Sequence, residues 1–311
     1  MKLFKPYFWK KKYSIFSILL LPISILIQIL FFIKKIIVKK ESFSVPVICI
    51  GNIFIGGTGK TPTAIKMVSI FEKLKKAPVI IKKFYNNQND ELVLIKEKTK
   101  NFVVGSTRSE AINKALKKNF NLIILDDGFQ DYTIRKNLNI LCFNSNQLIG
   151  NGFSIPSGPL REPISSIKNS QIIIINGNRN ENFEKRIKKI SNDISIYYSN
   201  YLPVNIKKLQ NINLLAFAGI GNPENFFQLL SKYNLKVEKT ISFPDHYNYT
   251  EKDIKNLFNL AKKNSLRLVT TEKDYCRLKY LKLNENISHI AVQLNLVEEE
   301  KFIKELKNYI K

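Results

Sequence analysis

The stretch VICIGNIFIGGTGKTPTAIKMV, from Val47 to Val68, restricts the possible folds of this chain more than any other. SVPVICI, which ends at Ile50, has the β-branched run of a buried strand. After Lys60 the apolar residues Ile65, Val68, Phe71 and Leu74 recur at helical spacing, and Pro62 falls in the first turn, where a missing N–H costs nothing. Strand, glycine loop and helix in that order suit an anion: backbone N–H groups converge on a phosphate, a lysine neutralises its outer oxygens and a hydroxyl takes Mg²⁺. Ile55, Gly56, Gly57, Thr58, Gly59, Lys60, Thr61 and Pro62 are therefore candidate nucleotide contacts. Phe54 stands where the G-x-x-x-x-G-K-[ST] pattern has its first glycine, so the turn entering the loop must differ, while Gly59-Lys60-Thr61 keeps the chemically active end.

Phosphate transfer at such a loop also needs a carboxylate near the metal and a group to take the proton of the attacking hydroxyl. NLIILDDGFQ offers a continuous apolar strand ending in Asp126 and Asp127, although Asp-Gly is also ordinary turn chemistry. NNQNDELVLI places Asp90 and Glu91 after the strand-like APVIIK, where an acidic pair would equally complement a helix dipole. SFPDHYNYT carries His246 beside Asp245 in a turn-like setting; His289, inside SHIAVQL, reads as structural. TTEKD reads as a capping box between Thr271 and Asp274.

The first forty residues hold nine lysines and no acid, and the lysines bracket an uncharged stretch from Tyr13 to Ile33. As a helix it would reach about 31 Å, close to the ~30 Å of hydrocarbon in a bilayer. Pro22 and the polar Ser14, Ser17, Ser24 and Gln28 argue against a simple span, and lysines on both flanks equally suit a helix lying in the interface. The segment ends at Lys34-Lys35 rather than at small residues, which argues against a cleaved signal peptide.

The formal charge of +25, from 50 Lys+Arg against 25 Asp+Glu, suits nucleic acid, an anionic membrane or a polyanionic substrate and does not choose among them. Cys49, Cys142 and Cys276 lie far apart, with no disulfide framework or zinc spacing. A nucleotide-switch GTPase would share the loop, but no N-K-x-D sequence is present to read guanine. A nucleic-acid-binding ATPase would use the charge, yet no aromatic-and-basic stacking motif occurs.

Taken together, GNIFIGGTGKTPT, NDEL, DDGFQ, IPSGPLREP, AFAGIGNPENFF, FPDHYNYT and VTTEKDYCRL, in this order from Gly51 to Leu278, resemble the tetraacyldisaccharide 4'-kinases of lipid A biosynthesis. That family's loop also lacks the first glycine, and NDEL stands for its G-D-E-P. The resemblance implies ATP- and Mg²⁺-dependent phosphorylation of the 4'-hydroxyl of an acylated glucosamine disaccharide 1-phosphate to give lipid IVA. It places the enzyme on the cytoplasmic face of the bacterial inner membrane, anchored among membrane lipids by its N-terminal helix, with no nucleic acid and no obligatory protein partner. Carried over, Lys60 contacts the β/γ-phosphates and Thr61 the metal, Asp90 is the catalytic base with His246 its dyad partner, and Glu91, Asp126 and Asp127 form the metal and phosphate shell. Arg161 would offer a planar guanidinium to phosphate oxygens. The chain departs from the family at Lys82-Lys83-Phe84-Tyr85-Asn86, where S-R-G-Y-G is expected, and at Asp131, where histidine is common.

The expected fold is α/β: a P-loop NTPase-like, mainly parallel sheet flanked by helices, with a smaller C-terminal α/β lobe and an N-terminal membrane-associated helix. The expected divisions are 1–40 for that helix, 41–205 for the P-loop core and 206–311 for the smaller lobe. On that division Asp90 and His246 fall in different lobes, so closure would assemble the dyad.

Overall fold

The structure, a computed structural model, describes residues 6–11, 14–84, 89–279, 281 and 286–310. In chain order its elements are α1 (Ile15–Leu19), α2 (Leu21–Ile37), β1 (Val47–Gly51), α3 (Lys60–Lys73), β2 (Pro78–Lys83), α4 (Asn89–Lys98), β3 (Phe102–Gly105), α5 (Arg108–Leu116), β4 (Leu122–Asp126), β5 (Leu138–Asn144), β6 (Ile172–Asn176) and α6 (Glu181–Ile190). There follow β7 (Ser195–Pro203), β8 (Leu214–Ala218), α7 (Pro223–Lys232), β9 (Val237–Ser242), α8 (Glu251–Lys263), β10 (Arg267–Thr271), α9 (Glu272–Leu278), β11 (Ile287–Ile290), β12 (Val292–Leu296) and α10 (Glu299–Leu306).

Eight strands form one sheet in the order β12-β7-β6-β5-β1-β4-β2-β3, and β1 to β7 run parallel. Parallel strands covered on both faces must be apolar throughout, which is why VICIG, LIILD and IIIIN are buried along their whole length. The second sheet, β11-β10-β8-β9, is parallel as well.

Contacts divide the chain into two compact units. Among the described residues, one comprises 6–84, 99–200 and 294–310, and the other 89–98 and 201–293. The expected divisions differ in three respects. The described residues between 6 and 40 belong to the first unit. The chain end returns to that unit too: α10 packs Phe302 against Tyr197 at 5.0 Å between ring centroids, and Lys66 pairs with Glu299 at 2.6 Å. Helix α4 joins the second unit, where Lys98 pairs with Glu272 at 2.6 Å. Asp90 and His246 thus share one unit, and closure between lobes is not needed to unite their sequence regions.

The N-terminal segment is broken at Leu20, with Pro22 in the first turn of α2, where its missing N–H is harmless. Among the described residues no helix is long and apolar enough to cross a membrane. Three of the polar residues that argued against a span, Ser17, Ser24 and Gln28, line one face. Ser24 donates to Ser154 O at 3.0 Å and to Ser157 Oγ at 2.8 Å, Gln28 donates to Arg161 O at 3.4 Å, and Asn151 donates to Ser17 Oγ at 3.1 Å. Away from that face, Ile15, Phe16, Leu26, Leu30, Phe32 and Ile36 are exposed.

Candidate active site

The glycine loop joins β1 to α3 in the first unit. Gly56 and Gly59 have φ of 114° and 94°, which side-chain-bearing residues rarely adopt, and Gly59 is the N-cap of α3. Asn52, fully buried, fixes the loop from within: its amide donates to Phe54 O at 2.6 Å, Gly56 O at 3.3 Å and Thr58 Oγ1 at 3.0 Å. Phe54 is buried and bridges Leu160, and Ile55 N donates to Pro159 O at 2.8 Å. An apolar anchor has thus taken the place of the first glycine. The same pairing, closed by Arg161 N to Ile53 O at 2.7 Å, brings the GPLREP segment and Arg161 to the loop.

Strand β4 lies beside β1 with Asp126 opposite Ile50, so the acidic pair emerges where the glycine loop begins. Thr61, at the start of α3, donates to Asp126 Oδ2 at 3.0 Å. Lys82 of β2 reaches the same oxygen at 2.8 Å, with both residues buried. Among the described residues Asp126 Oδ1 is buried and has no hydrogen-bond partner. A bare carboxylate oxygen beside a threonine hydroxyl suits a hard divalent ion that takes its other ligands from phosphate and water. Among the described residues no group of three or more His, Cys, Asp or Glu is placed to hold a metal unaided.

Asp127 turns into left-handed backbone (φ 56°). Arg161 Nη1 grips its two oxygens at 2.9 and 3.1 Å, and Lys60 Nζ stands 3.7 Å away. Burial would raise this carboxyl, but Lys60, Arg161 and Lys82 outweigh it and hold the pKa down at about 2. Arg108 donates to Asp127 O at 2.6 Å and to Asp131 Oδ2 at 2.9 Å, which gives Asp131 a place as an ion partner behind the site. Gln130 donates to Asn52 O at 2.9 Å and links the acidic turn to the loop.

The second unit carries the remaining candidates. Asp90 and Glu91 lie in the first turn of α4, and their side chains are outside the described residues, as are Tyr85 and Asn86. His246 has φ of 55°, and its N–H donates to Gly219 O at 3.1 Å. Its Nε2 stands 3.4 Å from Lys273 Nζ and 3.9 Å from Asp245 Oδ1. Thr271 and Asp274 do cap α9, but Asp274 does more. Fully buried, it accepts from Gly219 N at 3.0 Å, Thr271 Oγ1 at 2.7 Å, Tyr249 Oη at 3.1 Å and Arg277 Nη1 at 2.6 Å. Arg277 also donates to Gly219 O at 2.7 Å. A Cβ on Gly219 would sit 2.9 Å from Tyr249 Oη, so glycine is needed at the point where these groups close on the backbone that holds His246. His289 stacks on Tyr275 at 4.2 Å, as a structural histidine.

The structure therefore brings Lys60, Thr61, Asp126, Asp127 and Arg161 together and puts Asp90, Glu91 and His246 in the other unit. Sequence reasoning gave no site role to Asn52, Lys82 or Arg108. Asn52 carried a signal, being an amide between an apolar strand and the glycine run. Lys82 carried one too, as a lysine ending a run of buried apolar residues.

A parallel sheet whose first strand opens into a glycine loop with lysine and threonine at the start of a helix, and whose neighbouring strand ends in two aspartates, defines a P-loop phosphotransferase. Residues 16–311 match the family model for Tetraacyldisaccharide-1-P 4'-kinase, and the chain belongs to that family. The tetraacyldisaccharide 4'-kinase of Pelagibacter ubique is 42% identical over 315 residues, which cover 98% of each chain. That of Rickettsia canadensis is 33% identical, covering 95% of this chain and 94% of the relative. A crystal structure of LpxK from Aquifex aeolicus in complex with ATP has the same fold, with a TM-score of 0.72 and 23% identity, covering 95% of this chain and 99% of that one. The activity is accordingly that of a kinase with a hydroxyl acceptor, the 4'-phosphorylation of lipid A biosynthesis.

Proposed function

We propose that the chain transfers the γ-phosphate of ATP to the 4'-hydroxyl of an acylated glucosamine disaccharide 1-phosphate, giving lipid IVA at the cytoplasmic face of a bacterial inner membrane. The observation that carries this reading is the convergence of Lys60, Thr61 and Arg161 on two aspartates at the mouth of the glycine loop. The backbone N–H groups from Gly56 to Thr61 cradle the triphosphate, with Ile55, tied to Pro159 O, and Pro62 bounding the loop. Lys60, 3.7 Å from Asp127, is held loosely enough for phosphate oxygens to draw it away. Arg161 keeps Asp127 ionised and presents its remaining N–H groups to phosphate. Thr61 and Asp126, with Glu91 as a further carboxylate, would hold Mg²⁺, which supplies charge neutralisation of the phosphates. Asp90 accepts the proton of the sugar hydroxyl, which is far too weak an acid to ionise unaided, and His246 orients Asp90. The backbone anchoring of His246 through Gly219, Asp274 and Arg277 supports that role.

An acylated acceptor leaves a bilayer only at about 0.8 kcal/mol per exposed CH₂, so the enzyme must meet it at the surface. The exposed apolar face of α1 and α2, flanked by lysines, is the surface that rests on lipid. Replacing Leu26 and Leu30 together by glutamate should abolish flotation with anionic phosphatidylglycerol vesicles while ATP binding persists; undiminished flotation would move the lipid contact elsewhere.

The test of the reaction is incubation of the full chain with labelled ATP and the disaccharide 1-phosphate, followed by mass measurement of the lipid. The expected result is the gain of one phosphate. Lipid recovered unchanged beside ATP-saturated enzyme would overturn the assignment.

A further inference from the structure

The β2–β4 register pairs Ile81 with Leu125, so one residue further on Lys82 and Asp126 stand side by side on adjacent parallel strands and point to the same face of the sheet. Strand β2 otherwise buries Pro78, Val79, Ile80 and Ile81, and a lysine only 2% exposed at its end calls for an explanation. Burying an ammonium and a carboxylate together seldom adds stability over an apolar pair. A structural role is thus a weak reason for Lys82 to be there. Its location supplies a stronger reason. The ammonium shares Asp126 Oδ2 with the hydroxyl of Thr61, the residue placed to meet a metal ion, and among the described residues leaves Oδ1 bare. Its charge extends to Asp127, whose carboxyl it helps to hold down. Among the described residues, the cations Lys60, Arg161 and Lys82 outnumber the carboxylates Asp126 and Asp127 that they pair with at the start of α3.

We propose that Lys82 is a resident cation of the phosphate site: by occupying one oxygen of Asp126 it lets the chain hold a nucleoside triphosphate with little dependence on a divalent ion. This rests on the reading of the loop as a nucleotide site. The ammonium acts in two ways, both with the same sign. It attracts the triphosphate when metal is absent, and it repels a divalent ion that approaches the free oxygen of the same carboxylate.

The experiment is calorimetric titration of the full chain with ATP, once in EDTA and once in excess MgCl₂, for wild type and for Lys82→Met. In wild type the two dissociation constants should lie within about tenfold of each other. In Lys82→Met the gap should widen by a further factor of about 10 to 100, the size expected for one charged contact, because metal-free ATP loses a cation and Mg²⁺ gains an unopposed carboxylate. An unchanged ratio in the variant overturns the proposal, and a Lys82→Met that merely unfolds at lower temperature with the wild-type ratio would make Lys82 structural. Should the variant not fold, wild type alone decides: ATP binding more than about 100-fold weaker in EDTA than in MgCl₂ also overturns it. Absence of ATP binding to wild type in both buffers would instead remove the nucleotide reading itself.

Discussion

Each of the two sheets ends in a buried aspartate network at the carboxyl ends of its strands, and the two networks are satisfied to different degrees. In the second unit Asp274 accepts four hydrogen bonds, two on each oxygen. In the first, among the described residues, Asp126 accepts two on Oδ2 and none on Oδ1, and Asp127 beside it is surrounded by cations. A carboxylate with every lone pair engaged fixes backbone and has nothing left to offer a ligand. One with a bare buried oxygen is costly in isolation and therefore marks where something else binds. The difference separates scaffold from site without reference to any relative.

Substitutions can break that contrast. The largest expected effect is functional: Lys60→Met should lower turnover about 10³-fold, read as phosphate transferred per enzyme, while the urea midpoint barely moves. A collapse in stability instead would make Lys60 part of the scaffold. Next, Asp274→Ala should cost about 3–5 kcal/mol in urea unfolding, because Arg277 and three further donors lose their acceptor in the interior. A loss below about 1 kcal/mol would erase the distinction.

A smaller effect depends on acid. Asp127 has a folded pKa of about 2 against an ordinary 3.8, so the unfolded chain binds more protons between those values. The contribution is complete above about pH 4 and disappears as pH falls through about 2, on the order of 2 kcal/mol. Acid unfolding of Asp127→Asn without nucleotide should lack that component; an identical acid limb would show that Lys60 and Arg161 do not stabilise the folded carboxylate. The smallest effect belongs to the second unit. Thr250 caps α8 in a reciprocal box with Asp253, and Thr250→Ala should cost about 1 kcal/mol in the same unfolding assay with turnover unchanged.

The parts of the fold legible in the sequence were those where one force dominates. Strands β1, β4 and β6 are covered on both faces, so an unbroken apolar run announced each of them. Strand β7, SIYYSNYLP, mixes tyrosines with serine and asparagine, and the expected boundary near residue 205 overlooked it. Strand β9, VEKTIS, is largely exposed and carries no such run either. SHIAVQL is one short, mostly apolar run in the sequence, yet Ala291 separates β11 from β12, which belong to different sheets. At the site, Lys60, Thr61, Asp126 and Asp127 were legible because loop and strand end are each continuous in sequence. Lys82 and Arg108 come from other elements and reach the aspartates only through sheet register and helix packing. No local spacing encodes that. The allocation of α4 to the second unit was equally hidden, since it depends on pairs such as Lys98 with Glu272 that are remote in sequence.

Residues 151–161 serve two neighbours at once: Ser17, Ser24 and Gln28 are fastened to them, and their far end backs the glycine loop and carries Arg161. The N-terminal helices are therefore not an interchangeable module. A chimera that received another protein's leading segment would have to be rewritten along this shared seam as well, or the catalytic half would inherit a loosened wall.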